Sequence, residues 1–279
     1  MLSDRFLKVE GNFSKINHDF LIKNDVIPAL TYDRMGYFCY NETIDLMTIY
    51  LRHYLRGGTM KFNSVFDIIG PIMVGPSSSH TAGAARIGKM ARNLLGAEPT
   101  WAKIHLYGSF AKTYKGHGTD FALVGGLLNF ETDDPRMSQA LEIAREKQIE
   151  VTFIEDTAAT DHPNTVRLII GHDDNQVEVT GISIGGGKVE ITELNGFSLR
   201  LSGEYPAMLI MHNDRFGAIA SVTSILAKNR INIGYMEVNR KDVGAEALMV
   251  IEVDQDVTED VISELEQADN IIKVTKIIH

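Results

Sequence analysis

The chain has 279 residues, a length that predicts about two domains at roughly 150 residues each. Hydrophobic residues make up 44% of it and charged residues 23%, values that exclude a wholly disordered chain, a collagen-like fibre and a disulfide-stapled miniprotein. The net charge of −10, with no block of Lys and Arg, argues against nucleic acid and against an anionic membrane surface as partners.

The single cysteine, Cys39, is the most restrictive count in the composition. One thiol cannot form an internal disulfide, a cysteine-based zinc site or an iron–sulfur cluster, so any such metal needs thiolates from another chain. The low cysteine content is compatible with a cytoplasmic location. No run of 18 apolar residues exists and Met1–Asn12 lacks an apolar core, so the sequence predicts neither a membrane-spanning helix nor a signal peptide.

The first region, residues 1–59, has no sustained hydrophobic period, although Thr43–Leu55 fits a helix. It ends in Arg56-Gly57-Gly58-Thr59-Met60, and a purine-rich run that encodes Arg-Gly-Gly resembles a bacterial ribosome-binding site. Two interpretations stay open: residues 1–59 are a genuine N-terminal arm, or Met60 is the true start of translation. Mass spectrometry of the native protein distinguishes them.

Residues 60–202 are predicted to form one α/β domain. Ser64–Val74 is an apolar strand or turn that runs into Gly75-Pro76, and Ala82–Leu95 is predicted to be an amphipathic helix with Gly96 just past its end. Further helices are predicted at Thr119–Leu128 and Pro135–Gln148, and strands at Ala102–Gly108, Glu150–Ile154, Thr165–Gly171, Gln176–Ile184 and Lys188–Leu194.

Residues 203–279 have the cleanest pattern in the chain. Strands are predicted at Ala207–His212, Ile231–Asn239, Glu246–Val253 and Asn270–Ile278, and helices at Ala218–Asn229 and from the N-cap Thr258 to Gln267. The order βαββαβ is typical of a ferredoxin-like fold, an open sheet with helices on one face. The predicted fold class of the whole chain is therefore α+β.

The first motif that can carry chemistry lies directly before a predicted helix and reads Gly75-Pro76-Ser77-Ser78-Ser79-His80-Thr81-Ala82-Gly83. Free backbone N–H groups and the helix dipole favour an anion at such a position. The motif therefore suits a carboxylate or a phosphate, and His80 can move a proton. The alternative is a serine-rich N-cap without a ligand.

Three other segments hold candidate groups. In Gly108–Asp120, glycines on both sides of His117 leave its ring accessible, although a glycine-rich loop with an N-cap fits the segment equally well. Asp161–Thr165 offers polar groups, or an ordinary Asx or proline turn. Gly185-Gly186-Gly187 lacks the pattern of a phosphate-binding loop and predicts a tight turn or close packing.

Together these segments are similar to the β chain of the bacterial iron–sulfur L-serine dehydratases. The resemblance covers about Met60 to His279 and rests on Gly75–Gly83, Gly116–Asp120, His162–Thr165 and Gly185–Gly187. It implies that residues 60–202 form an allosteric-substrate-binding-type domain and that residues 203–279 form an ACT domain, the small-molecule-binding module of amino-acid metabolism. Residues 1–59 have no match in the family.

The resemblance also implies an activity. The family converts L-serine to pyruvate and ammonia with a [4Fe–4S] cluster, whose open iron acts as a Lewis acid on the serine hydroxyl while a base removes the α-proton. The cluster cysteines of single-chain members lie in a separate domain that this chain lacks. The implied protein is therefore one subunit of a cytoplasmic L-serine ammonia-lyase, whose partner α chain holds the cluster and whose ACT domains self-associate.

Site residues follow from the same resemblance. The implied catalytic residues are Ser77, Ser78, Ser79, His80, Thr81 and His117. The implied substrate-pocket residues are Gly116, Gly118, Thr119, Asp120 and Asn164. No metal ligand is implied in this chain, and which histidine is the base, if either, stays open.

In the ACT domain the implied regulatory positions are Asn213, Asp214, Phe216, Gly217 and Asn232. Phe216 stands where the family motif has proline, so a purely structural, dimerising ACT domain remains an alternative. A different class of protein also fits part of the sequence, namely a non-catalytic amino-acid sensor that regulates a partner. A sensor has no need of the Ser-Ser-Ser-His-Thr run, and this favours the enzyme. A regulatory fragment of a serine-pathway dehydrogenase would need a nucleotide-binding fingerprint, which is absent from the sequence.

Overall fold

The computed structural model describes residues 71–277. The predicted helix at Thr43–Leu55, the two interpretations of Met60 and the single cysteine, Cys39, lie outside the described residues. So does most of the predicted apolar stretch Ser64–Val74, of which residues 71–74 form neither helix nor strand. Within the described part of the chain, no helix is long and apolar enough to cross a membrane.

The first part of the described chain is a six-stranded mixed sheet whose buried face is covered by helices. A π-helical turn (Ser78–Ala82) runs directly into α1 (Gly83–Leu95). There follow β1 (Trp101–Leu106), α2 (Gly108–His117), α3 (Thr119–Leu127), a 3₁₀ turn (Met137–Gln139), α4 (Ala140–Glu146), β2 (Glu150–Glu155), β3 (Thr165–His172), β4 (Asn175–Gly185), β5 (Lys188–Leu194) and β6 (Phe197–Leu201). The strand order is β2-β1-β3-β4-β5-β6, with β1 and β2 parallel and the other neighbours antiparallel.

Helix α1 positions the first motif, and its sequence explains why it forms. Ala84, Ile87 and Ala91 recur at helical spacing and are buried against the sheet. Gly96 takes a φ of 79°, a left-handed conformation that suits glycine and ends the helix. The predicted helix at Ala82–Leu95 is thereby confirmed.

The second part of the described chain is a four-stranded antiparallel sheet. Its elements are β7 (Ala207–Asn213), α5 (Ala218–Lys228), β8 (Ile233–Arg240), β9 (Glu246–Val253), α6 (Glu259–Glu266) and β10 (Ile271–Ile277). The strand order is β10-β7-β9-β8, and α5 and α6 pack on one face over a core that includes Met208, Ile210 and Ile251. The predicted βαββαβ order and ferredoxin-like fold are confirmed.

The opposite face of this four-stranded sheet packs against the first part of the chain. Leu209, Leu248 and Val250 belong to the same hydrophobic core as Met90 of α1 and Leu201 of β6. The described residues, 71–277, accordingly belong to one compact unit. Burial of this face means that α1 contacts both sheets.

Two predictions need correction, and one strand was not predicted. Gly108–Asp120 is not a glycine-rich loop, because α2 occupies Gly108–His117 and buries Phe110 and Tyr114, four residues apart on one face. The sequence analysis also missed β6, although its residues alternate between buried and exposed. The predicted helix at Pro135–Gln148 is a 3₁₀ turn followed by the shorter helix α4. By contrast, the tight turn predicted at Gly185–Gly187 is confirmed, since all three glycines have positive φ.

Candidate active site

The polar side chains of the first motif converge where α1 begins. Ser77 is extended (φ −141°, ψ 125°), and its Oγ accepts a hydrogen bond of 3.2 Å from the backbone N–H of His80. The next turn is π-helical, because the N–H of Gly83 bonds to the carbonyl of Ser78. Single π-turns of this kind often occur at functional sites. Ser77 Oγ also lies 3.3 Å from Ser79 Oγ, so the hydroxyls form a small cluster.

The imidazole of His80 is at the centre of this cluster. Its Nδ1 lies 3.1 Å from Ser79 Oγ, and its Nε2 lies 2.9 Å from Ser109 Oγ in the first turn of α2. Its ring centroid is 5.0 Å from that of His117, which is exposed at the end of α2. Burial, and secondarily the nearby His117, lowers the pKa of His80 below its usual value. His80 is therefore neutral at pH 7 and can accept a proton.

Thr81 ties the motif to the end of α2. Its Oγ1 donates a hydrogen bond of 3.0 Å to the carbonyl of His117, and the residue is buried. Gly75 packs on Thr81 so closely that a Cβ at position 75 would lie 2.3 Å from the Thr81 methyl group. These contacts fix the His80 turn against the segment that carries His117. Among residues of the first motif, Thr81 therefore has a clear role in shaping the site.

The residues implied for the substrate pocket surround the end of α2 and the start of α3. Thr119 is fully buried, and no hydrogen-bond partner for its Oγ1 occurs among the described residues. Asp120 accepts a hydrogen bond from the N–H of Phe121, and burial raises the pKa of its carboxyl group. Gly118 links the two helices with a φ of 70°, and a Cβ at Gly116 would meet no atom within 4 Å.

The third motif joins the same site. The backbone N–H of Ser109 donates to the carbonyl of Pro163 at 2.7 Å, which brings the Asp161–Thr165 segment to the start of α2. Asn164 bonds through its N–H to His162 Nδ1 and through its side-chain amide to the carbonyl of Ser183 in β4. The structure thus brings three predicted motifs together. The triple-glycine turn instead packs beside α1, where Arg86 donates to the carbonyl of Gly187.

Sequence reasoning missed Ser109 as part of this site. The residue lies in a stretch that the sequence analysis examined, but 29 positions separate it from His80. Nothing in residue type or spacing indicates that the first turn of α2 faces the serine-rich turn. The two meet only because β1 carries the chain back across the sheet.

The described residues do not fit an iron–sulfur cluster. Within residues 71–277, no group of three or more His, Cys, Asp or Glu side chains is arranged to hold a metal ion. A [4Fe–4S] cluster is normally held by four thiolates, whereas the whole sequence contains one cysteine.

In the second sheet, the loop after β7 holds three of the implied regulatory residues, namely Asp214, Phe216 and Gly217. Asp214 accepts hydrogen bonds of 2.9 Å from the N–H of Gly244 and from Arg240, and both lower the pKa of its carboxyl group. Phe216 is fully exposed, and a Cβ at Gly217 would meet no atom within 4 Å. Asn213 is exposed at the end of β7.

The fifth implied regulatory residue is separated from this loop. Asn232 precedes β8, whose first residue Ile233 pairs with Val253, whereas the end of β7 pairs with the opposite end of β9. Its side chain bonds to Asp254 at 2.6 Å. Sequence reasoning also missed His212, which is buried beside the loop with an Nε2 that has no partner among the described residues.

This architecture defines a class of protein: an α/β part whose helix start carries serines and a histidine, followed by an ACT domain. Residues 64–193 match the family described as serine dehydratase beta chain, and residues 208–270 match the ACT domain. The chain belongs to the serine dehydratase beta chain family. The resemblance and the fold class predicted from the sequence are confirmed.

Similar proteins agree with this assignment. The chain is 59% identical over 218 residues to the probable L-serine dehydratase beta chain of Bacillus subtilis, a match that covers 78% of this chain and 99% of that protein. It is 38% identical over 198 residues to the L-serine dehydratase beta chain of Peptoniphilus asaccharolyticus, covering 70% and 89% of the two chains. Similarity to D-3-phosphoglycerate dehydrogenase of Bacillus subtilis is lower, 27% over 192 residues, and covers 68% of this chain but only 36% of that protein.

Proposed function

We propose that this chain is the β subunit of a cytoplasmic L-serine dehydratase, an ammonia-lyase that converts L-serine to pyruvate and ammonia. The observation that carries the proposal is the His80 imidazole with hydroxyl oxygens at both ring nitrogens, in a chain of the serine dehydratase beta chain family. The alternative of an ACT-domain sensor accounts for residues 208–270 alone. It does not explain the serine-rich turn or the family match over residues 64–193.

In this proposal the start of α1 binds the substrate carboxylate. Ser77, Ser78 and Ser79 lie where helix N–H groups and the dipole favour an anion, and their hydroxyls can donate to it. Neutral His80 lies beside them and accepts or orients a proton. His117 disfavours the protonated form of His80, and Thr81 holds the two histidine-bearing segments together.

The cluster belongs to the partner in this proposal. The composition supports a separate α chain that supplies the thiolates, since this sequence has a single cysteine. The exposed ring of His117 at the rim of the site is suited to facing such a partner. The active site would then form between two chains, with the serine-rich turn as the contribution of this one.

Co-expression with the α chain under anaerobic conditions tests the function directly. Pyruvate should form from L-serine when both chains are present and should be absent with either chain alone. Pyruvate from this chain alone would contradict the division of labour. No pyruvate from an iron-loaded complex of both chains would contradict the proposed activity.

The pH dependence of that activity should report His80. As the pH falls, kcat/KM should stay high below the usual histidine pKa of about 6.5 and decline only as the lowered pKa of His80 is passed. His117→Gln removes the charge that disfavours protonation, so the acid limb should move to higher pH. The measurement is the pH profile of kcat/KM for both complexes. An acid limb above pH 6.5 in the wild type, or one that His117→Gln leaves in place, would contradict the assignment.

For the ACT domain we propose a regulatory amino-acid site shared by two copies of the chain. Strand β8 is an edge strand, and its Met236 and Val238 are exposed. Antiparallel pairing of two β8 strands would place the partner subunit's Asn232 next to Arg240, which contacts Asp214 in the loop after β7. Asn232 is distant from Asn213–Gly217 within one chain, but in this dimer Asn232 of one copy would lie near Asn213–Gly217 of the other.

Self-association and binding should therefore disappear together. Calorimetry of the full chain should show heat with millimolar L-serine, and sedimentation should show a dimer. Met236→Arg combined with Val238→Arg should abolish both, because like charges would then lie side by side on one face of the sheet where the two edge strands meet. Ile272→Arg on the opposite edge strand β10 is the matched control. A dimer without heat would leave the ACT domain with a purely structural role.

A further inference from the structure

The hydroxyl of Ser109 contacts His80 from outside the serine-rich turn. Its Oγ lies 2.9 Å from His80 Nε2, the shortest of the ring's hydrogen-bond distances. The other ring nitrogen faces Ser79 at 3.1 Å and Ser77 at 3.5 Å, both from the turn that carries the histidine itself. Ser109 therefore orients the ring relative to a different element of the fold.

The tertiary structure fixes the position of Ser109. Its backbone N–H donates to the carbonyl of Pro163 at 2.7 Å, and its own carbonyl accepts from Thr113 Oγ1 at 2.8 Å. Gly108, with a φ of 55°, packs so closely that a Cβ there would lie 2.5 Å from the same Pro163 carbonyl. Because these contacts hold Ser109 in place, its hydroxyl does not move when the His80 ring rotates. Ser109 can therefore fix the orientation of the imidazole.

The chemistry of the contact also bears on protonation. A neutral imidazole has one N–H donor and one lone pair, and a hydroxyl can pair with either. The imidazolium has two donors, and hydrogen bonds from a charged donor are roughly twice as strong as neutral ones. Ser109 thus favours protonated His80, against the burial and the His117 charge that disfavour it. Phe110, whose ring meets His80 edge-on at 5.2 Å, adds no charge.

We propose that Ser109 is a positioning residue for His80, holding its ring direction and sustaining its basicity through the Oγ–Nε2 hydrogen bond. Its consequence for turnover rests on the proposed function, but its effect on His80 does not. Loss of the Ser109 hydroxyl should leave the substrate-binding serines in place. His80 should become a weaker base, and its ring should be less well oriented.

The test uses the full chain with Ser109→Ala, Ser109→Thr and the control Ser198→Ala at an exposed position of β6. Titration of the His80 ring proton by NMR, assigned with His80→Gln, should show a pKa about half a unit lower or more in Ser109→Ala. Ser109→Thr keeps the hydroxyl and should restore the wild-type value. In the complex with the α chain, Ser109→Ala should lower kcat about tenfold with little change in KM, and the acid limb should move to lower pH.

An unchanged His80 pKa in folded Ser109→Ala would overturn the proposal, whatever happens to turnover. If Ser109→Ala does not fold, Ser109→Cys provides a side chain of similar size and weaker hydrogen bonding, and its His80 pKa should still fall. A wild-type complex without pyruvate formation would contradict the proposed function, whereas the NMR titration would still decide the role of Ser109.

Discussion

Replacing His80 by Ala should lower kcat/KM for pyruvate formation by about 10²–10⁴-fold in the complex with the α chain, the range that a positioned acid–base group contributes. The reason is the environment of the ring, where hydroxyl oxygens lie at both nitrogens and burial lowers the pKa. A neutral imidazole at pH 7 can accept a proton. A water molecule in the space left by the imidazole would not be oriented as the ring is, so it would not replace the base. Steady-state assays under anaerobic conditions measure the loss.

The fold should survive the same substitution. Ser77 caps the turn through the backbone N–H of residue 80, and Thr81 anchors it to α2, so neither contact needs the imidazole. His172→Gln is the matched control, because His172 contacts the Glu98 carbonyl away from the site and should leave turnover unchanged. Near-normal turnover of the folded His80→Ala complex would remove His80 from the mechanism and leave His117 as the remaining histidine of the pair.

The parts of the fold that the sequence predicts are those that local patterns determine. Helix α1 has buried residues at helical spacing and a glycine at its end, and each of these signals is contained within the helix itself. The ACT domain is predictable for the same reason, since its strands and helices alternate with clear turns between them. The serine-rich run is likewise visible as a helix start, because capping is a local property.

The parts that the sequence analysis missed depend on distant contacts. Helix α2 has glycines at both ends and buries only Phe110 and Tyr114, so its helical pattern is weak and the surrounding packing decides the conformation. The approach of Ser109 to His80 is set by the path of β1 and by the Pro163 carbonyl. Strand β6 is different, because Phe197, Leu199 and Leu201 alternate with polar residues, and this period of two is a local signal for a strand.

Packing between α1 and α3 leads to the largest expected effect on stability. Gly126→Ala should lower the free energy of unfolding by about 3 kcal/mol, the upper part of the range for overpacked cores. A Cβ at position 126 would lie 2.0 Å from the Ala85 carbonyl oxygen and 2.6 Å from the Lys89 nitrogen, both backbone atoms of α1. Backbone inside a helix cannot rotate away as a side chain does, so the helices must separate. Urea denaturation of the full chain measures the change.

Gly116→Ala is the matched control, because the same change in the last turn of α2 would meet no atom within 4 Å. It should stabilise the chain by about 0.5–1 kcal/mol, since alanine favours the helix more than glycine does. Equal stabilities of the two variants would contradict the close packing.

The separation of α1 from α3 also matters for the site, because α1 begins at the turn that carries His80 and α3 begins just after His117. A folded Gly126→Ala chain should therefore also lose turnover, although it retains every polar group of the candidate active site.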